Sequence, residues 1–194
     1  MGLGSNRVSF RSENEKQGQC MKTLYLLRHG KSSWETPGQR DFDRPLKNRG
    51  IQAARLMGRH MAATSLRPEL ILCSAAARAQ QTLSCFLEGY GEEPECLIED
   101  GLYHSTSKSM IERLSAVPDD IPSVMIVGHN PGMQHLALDL AESASGDWHR
   151  MREKFPTAAL AVMTLDEPSW SPITPGSFTL QGYFKPKELE AFSP

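Results

Sequence analysis

Apolar residues in this chain keep two rhythms. Unbroken runs come at residues 23–28 ("TLYLLR"), in "PELILCS" (68–74) and in "SVMIVGH" (123–129). Short runs of this kind, ended by polar or turn-forming residues, predict strands covered on both faces. Between them the period changes. Across 48–63, Ile51, Ala54, Met57 and Met61 recur at spacings that share one face of a helix. The same reasoning predicts helices over 75–88, 105–116 and 131–143, and a short strand near 95–98. Two later runs, "AALAVMTL" and "SFTLQGYF", follow one another without a long helix between them, and the second alternates as an edge strand does.

Strands alternating with helices predict a three-layer αβα sandwich on a mostly parallel central sheet. The closely spaced late strands predict an antiparallel edge. Residues 1–20, "MGLGSNRVSFRSENEKQGQC", are polar and lack either period. They are expected to form a disordered extension, and 21–194 a single domain.

Charge changes this picture little. The chain of 194 residues carries 21 Lys and Arg against 23 Asp and Glu. That balance gives no field for nucleic acid or an anionic membrane, although a net figure hides any local cationic site. No apolar run is long enough for a membrane span. Cys20, Cys73, Cys85 and Cys96 form no CxxC pair, so a reduced, cytoplasmic protein is expected. Cys73, inside a strand, reads as a small core residue.

The ends of three strands are unusual. The first runs into Arg28-His29-Gly30. The second ends at Ser74 and leads to Arg78 in the first turn of a helix. The third ends in Gly128-His129-Asn130-Pro131, where Asn is a good N-cap and Pro suits the next position. Each alone is an ordinary strand end or helix cap. Ligands of open α/β sheets sit at the carboxyl ends of strands, however. If these strands are neighbours, two arginines and two histidines meet there. Such a pocket suits a phosphoryl group: guanidinium forks match its oxygens, and a neutral imidazole nitrogen can attack phosphorus. His29 is then the nucleophile, with its other ring nitrogen donating to backbone. Gly30 would let the backbone approach closely. Arg28, Arg78 and His129 hold the oxygens, and no metal or cofactor is implied.

These residues resemble the histidine phosphatase superfamily, with its phosphoglycerate-mutase-like fold. The matching features are Arg28-His29-Gly30, the spacing of Ser74, Arg78 and Thr82, and His129. "LYLLRHGKSSW", "DFDRPLKNRG", "SAAARAQQT", "VGHNPG" and "FPTAALAVM" look like the SixA-type phosphohistidine phosphatases within it, over roughly residues 22–165. The resemblance implies transient phosphorylation of His29, with phosphate held by Arg28, Arg78 and His129. It also implies a Glu or Asp general acid. Glu99 and Asp100, in "IEDGLYHS", are the candidates, against the plain reading of a solvated loop.

Secondary candidates carry two readings each. Ser32 is a phosphate contact or a turn residue, and Asn130 a cap or a substrate contact. Asp41, Asp43 and Arg44 are expected to be ion-paired and structural rather than to recognise substrate. Trp34 packs or lines the pocket mouth. His60, His104, His135 and His149 show no metal-ligand spacing. The expected function is a metal-independent phosphatase acting on protein phosphohistidine, its partner a phosphotransfer domain or carrier. The alternatives are a phosphatase of small phosphomonoesters and a non-catalytic phosphate-binding module.

Overall fold

The computed structural model describes residues 21–34, 38–142 and 146–190. The extension expected over residues 1–20 lies outside them. In chain order the elements are β1 (Lys22–Arg28), α1 (Asn48–Ala63), β2 (Leu70–Ser74), α2 (Ala77–Tyr90), β3 (Glu95–Glu99), α3 (Ser107–Leu114) and β4 (Ser123–Gly128). There follow α4 (Gly132–Leu140), α5 (Gly146–Glu153), β5 (Leu160–Leu165), β6 (Phe178–Phe184) and α6 (Pro186–Glu190). Two 3-10 turns, Asp41–Asp43 and Asp100–Leu102, complete the path.

The strands form one sheet in the order β3-β2-β4-β1-β5-β6. The pairs β3–β2, β2–β4 and β4–β1 are parallel, while β1–β5 and β5–β6 are antiparallel. The mostly parallel sheet with antiparallel pairing toward one edge is therefore as expected, and β5 is the reversed strand. The apolar runs are unbroken because both faces are covered. Leu24 and Leu26 of β1 point into a core shared with Leu136 and Leu140 of α4 and Met151 of α5. Tyr25 and Leu27 point into the other, beneath Met57 and Met61 of α1 and Leu83 and Phe86 of α2. Three layers result. Helices α1 and α2 touch backbone to backbone: a Cβ on Gly58 would lie 2.1 Å from the Phe86 carbonyl oxygen, and one on Gly89 2.2 Å from that of Arg55.

Several boundaries move inward. The helix expected over 105–116 covers 107–114, where Thr106 accepts the Ser109 N–H as its cap. The one expected over 131–143 covers 132–140, and Asn130 does not cap it. The Asn130 side-chain amide instead donates to the Phe155 carbonyl and to Gln134, both at 3.2 Å.

Candidate functional site

The order β2-β4-β1 makes the three polar strand ends immediate neighbours. Arg28 stands opposite Gly128 in the β1–β4 register, and Cys73 opposite Val127 in β2–β4. His29 donates its backbone N–H to the Gly128 carbonyl at 3.0 Å. The rings of His29 and His129 have their centroids 5.0 Å apart. Both are buried, at 8% and 6% exposure, as is Arg78 at 4%.

The His29 ring has a defined tautomer. Its Nδ1 lies 2.7 Å from the Gly30 carbonyl oxygen, which can only accept. In the neutral ring the proton is therefore on Nδ1 and the lone pair on Nε2. Burial, joined by the nearby guanidiniums of Arg78, Arg28 and Arg44, brings the pKa down to about 4 against the opposing Gly30 bond. His129 Nε2 lies 2.8 Å from Ser74 Oγ. Burial, then His29 and Arg78, bring its pKa down to about 3. Both rings are thus neutral near pH 7.

Thr82 explains the Ser-Arg-Thr spacing. Its hydroxyl donates to the Arg78 carbonyl at 2.6 Å and accepts the Gly30 N–H at 2.9 Å. One side chain of α2 therefore ties the turn after His29 to the helix that carries Arg78. Gly30 makes a close approach, but to α1: a Cβ there would meet the Gly50 carbonyl oxygen at 2.8 Å. The loop before β5 braces the other side. The Ala158 N–H donates to the carbonyls of Arg28 and His29, from a left-handed backbone with φ of 59°. The Arg28 guanidinium donates to the Phe155 carbonyl at 2.6 Å.

Asp41 is ion-paired, as expected, but its partner lies at the heart of the cluster. Arg78 donates to the Asp41 carbonyl at 2.5 Å and to its carboxylate at 2.9 Å. Arg44 at 2.7 Å and the Tyr103 hydroxyl at 2.8 Å complete the shell. Burial acts to raise the Asp41 pKa, but the donors of Arg44, Tyr103 and Arg78 outweigh it and hold the carboxyl well below the usual range. Ser32 is buried with its hydroxyl accepting from Arg44 at 2.7 Å. That arginine lies 3.3 Å over the ring of Trp34, which is exposed rather than packed.

"IEDGLYHS" reaches the site through residues other than those expected. Glu99, on the outermost strand β3, receives the Arg113 guanidinium at 2.7 Å. Asp100 is exposed at the start of its 3-10 turn. That turn instead brings Tyr103, half-buried, and His104, exposed, to the rim of the cluster. His104 lies 3.7 Å from the Asp41 carboxylate, and its ring centroid is 6.2 Å from that of His129. A cavity of about 150 Å³ opens there, lined by His104, Thr106, His129, Asn130 and His135 among others. The signal in the sequence is the Tyr103-His104 pair directly after the acids.

Arg28 Nε, Arg78 Nε and His129 Nδ1 are buried and without a hydrogen-bond partner. An unsatisfied buried polar group costs roughly 1–3 kcal/mol, more when charged. The two guanidinium N–H groups among these three are cationic donors, the kind that suits an oxyanion. Cys73 is no rival nucleophile, because burial pushes its thiol up to about 12. Among the described residues no His, Cys, Asp or Glu cluster is arranged to hold a metal, and no helix is long and apolar enough to cross a membrane.

Comparisons with known proteins point the same way. The profile of the Histidine phosphatase superfamily (branch 1) matches residues 24–103. An uncharacterized protein of Mycobacterium tuberculosis, Rv1276c, is 34% identical over 164 residues, spanning 83% of this chain and all of that one. The phosphohistidine phosphatase SixA of Escherichia coli is 28% identical, over 74% of this chain and 86% of its own. Among solved structures, a candidate phosphohistidine phosphatase SixA from Agrobacterium tumefaciens superposes with a TM-score of 0.72 at 30% identity. That match covers 84% of this chain and 97% of the other.

Proposed function

Starting from a chain that belongs to the histidine phosphatase superfamily, we propose a metal-independent phosphatase that passes the phosphoryl group of protein phosphohistidine through Nε2 of His29. The observation that carries this reading is the His29 ring itself. It is neutral, pinned through Nδ1 to Gly30, and has a free lone pair on Nε2 near two guanidiniums with unpartnered Nε–H donors and the unpartnered Nδ1 of His129.

In the first step the Nε2 lone pair attacks phosphorus and the substrate's phosphorus–nitrogen bond breaks. The leaving imidazole takes a proton at the released nitrogen or leaves neutral from its protonated form. Arg28, Arg78 and the His129 ring hold the equatorial oxygens as charge moves. Water then attacks phosphorus, the bond to Nε2 breaks, and phosphate leaves with His29 neutral again. The Asp41 carboxylate, held ionised by its donors, is a poor acid. An imidazole needs less protonic help than an alkoxide, whose expulsion gains roughly 10²–10⁴-fold from a positioned donor. The likeness to the Escherichia coli phosphohistidine phosphatase adds support. A phosphotransfer domain or carrier in the cytoplasm fits as the substrate.

The test is a substrate panel. Phosphohistidine protein is expected to be cleaved with the higher kcat/KM than sugar phosphates or other small phosphoesters. The reverse order makes the protein a small-molecule phosphatase, and binding of phosphorylated protein without turnover makes it a recognition module. Low pH is expected to act on stability as well as on rate. His29 and His129 have folded pKa values of about 4 and 3, below the ordinary value of about 6.5. The unfolded chain therefore takes up their protons first. Their contribution is present above about pH 6.5 and lost as pH falls through 4 toward 3. The melting temperature should drop through that window, and less steeply in His29→Asn.

A further inference from the structure

A second cavity, of about 300 Å³, opens beside the His29 site. It is ringed by Lys31, Arg49, Lys154, Lys185 and Lys187, with Glu188 as its carboxylate. These cations come from four separate segments: the loop after His29, the start of α1, the loop before β5, and the approach to α6 with its first turn. The chain as a whole is slightly acidic, so their convergence is local. Glu188 does not neutralise it, because both its oxygens receive the Arg150 guanidinium at 2.6 Å and Lys185 stands 3.6 Å away. Lys31, Arg49, Lys154 and Lys187 are exposed and form no ion pair among the described residues.

The cleft is built in part from segments that also build the phosphoryl pocket. Lys31 lies two residues beyond His29. The loop whose Phe155 carbonyl accepts from Arg28 also places Lys154, Pro156 and Thr157 in the cleft. A ligand seated at His29 and extending toward that loop meets the cations. Resting on the phosphohistidine-protein reading, we infer that this cleft docks acidic side chains of the phosphorylated partner that flank its phosphohistidine.

The construction distinguishes this occupant from a second small phosphate. The His29 pocket presents buried guanidinium forks, which suit the oxygens of one phosphoryl group. The cleft instead presents mostly lysines, exposed and spaced around a floor of Ala53, Pro156 and Pro186. Mobile, hydrated point charges steer and orient an acidic protein surface, and the apolar floor accommodates the methylenes of Asp and Glu.

The experiment uses the full chain with Lys154→Glu and Lys187→Glu together, both exposed and neither among the phosphoryl-binding groups. Toward phosphohistidine protein, kcat/KM should fall roughly tenfold or more through KM, with a weaker salt dependence. Turnover of free phosphohistidine should stay within about twofold of the wild type. A labelled oligoglutamate peptide should bind the wild type and not the variant, by fluorescence anisotropy. An unchanged KM, an equal loss on both substrates, or wild-type binding of inorganic pyrophosphate but not oligoglutamate would each overturn the inference. The anisotropy needs no turnover. A wild type that ignores phosphohistidine protein yet binds oligoglutamate through Lys154 and Lys187 would refute the substrate reading while leaving an acidic-docking cleft in place.

Discussion

Replacing His29 by Ala or Asn is expected to lower kcat on phosphohistidine protein by at least roughly ten-thousand-fold, the scale on which a lost nucleophile acts. The substitution removes the atom on which the covalent intermediate forms, so phosphoryl transfer has no two-step route. The Asn variant separates chemistry from folding. Its side-chain amide can donate to the Gly30 carbonyl as Nδ1 does now, while offering no nucleophilic nitrogen. The backbone anchors of the site, from His29 N–H to Gly128 and from Ala158 N–H to the carbonyls of Arg28 and His29, are untouched. His29→Asn should therefore melt cooperatively and still bind the phosphorylated protein, which single-turnover kinetics and equilibrium binding together would report. A variant retaining more than about a tenth of wild-type kcat would exclude His29 as nucleophile.

Replacing Arg78 by Ala is expected to lower kcat/KM by roughly a thousandfold, the low end of what a transition-state arginine contributes in phosphoryl transfer. Arg78 is buried with one nitrogen unpartnered and the others on Asp41. Two anions therefore compete for one fork. A phosphoryl group gains the guanidinium as charge spreads over its oxygens. The loop carrying Asp41 retains Arg44 and Tyr103 as donors, so it should keep its place in the variant, with only a few degrees lost in melting temperature. Arg78→Lys should recover little, because an ammonium cannot present two parallel donors. Steady-state kinetics on both variants, beside their melting curves, checks this. Near-full recovery by Lys would mean that charge alone suffices.

The parts of the site legible in the sequence were those built from contiguous chain. Strands β1, β2 and β4 announce themselves because a sheet covered on both faces leaves no polar alternation. Their polar ends then locate His29, Arg78 and His129. The helix with Met57 and Met61 on its inner face appears where its period predicts. What stayed hidden depends on the path of turns. Asp41 meets Arg78 across 37 residues of chain, and only the 3-10 turn at Asp41–Asp43 brings it there. Another such turn, at Asp100–Leu102, sets the places of its neighbours. Glu99 stays on the outer strand facing Arg113, while Tyr103 and His104 reach the pocket. Asn130 looked like a cap by residue type, yet Phe155, remote in sequence, holds its amide. Helices α5 and α6 are short and polar-rich, and they carry too few apolar positions for a period to show.

A phosphoryl group bonded to Nε2 of His29 during turnover is measured directly by rapid quenching into alkali, with radiolabelled phosphohistidine protein as substrate. Transient label is expected on this chain that survives alkali, is released by acid, maps to the peptide containing His29, and is absent from His29→Asn. Turnover at the wild-type rate with no label on the chain at any time, or label mapping to another residue, would contradict it.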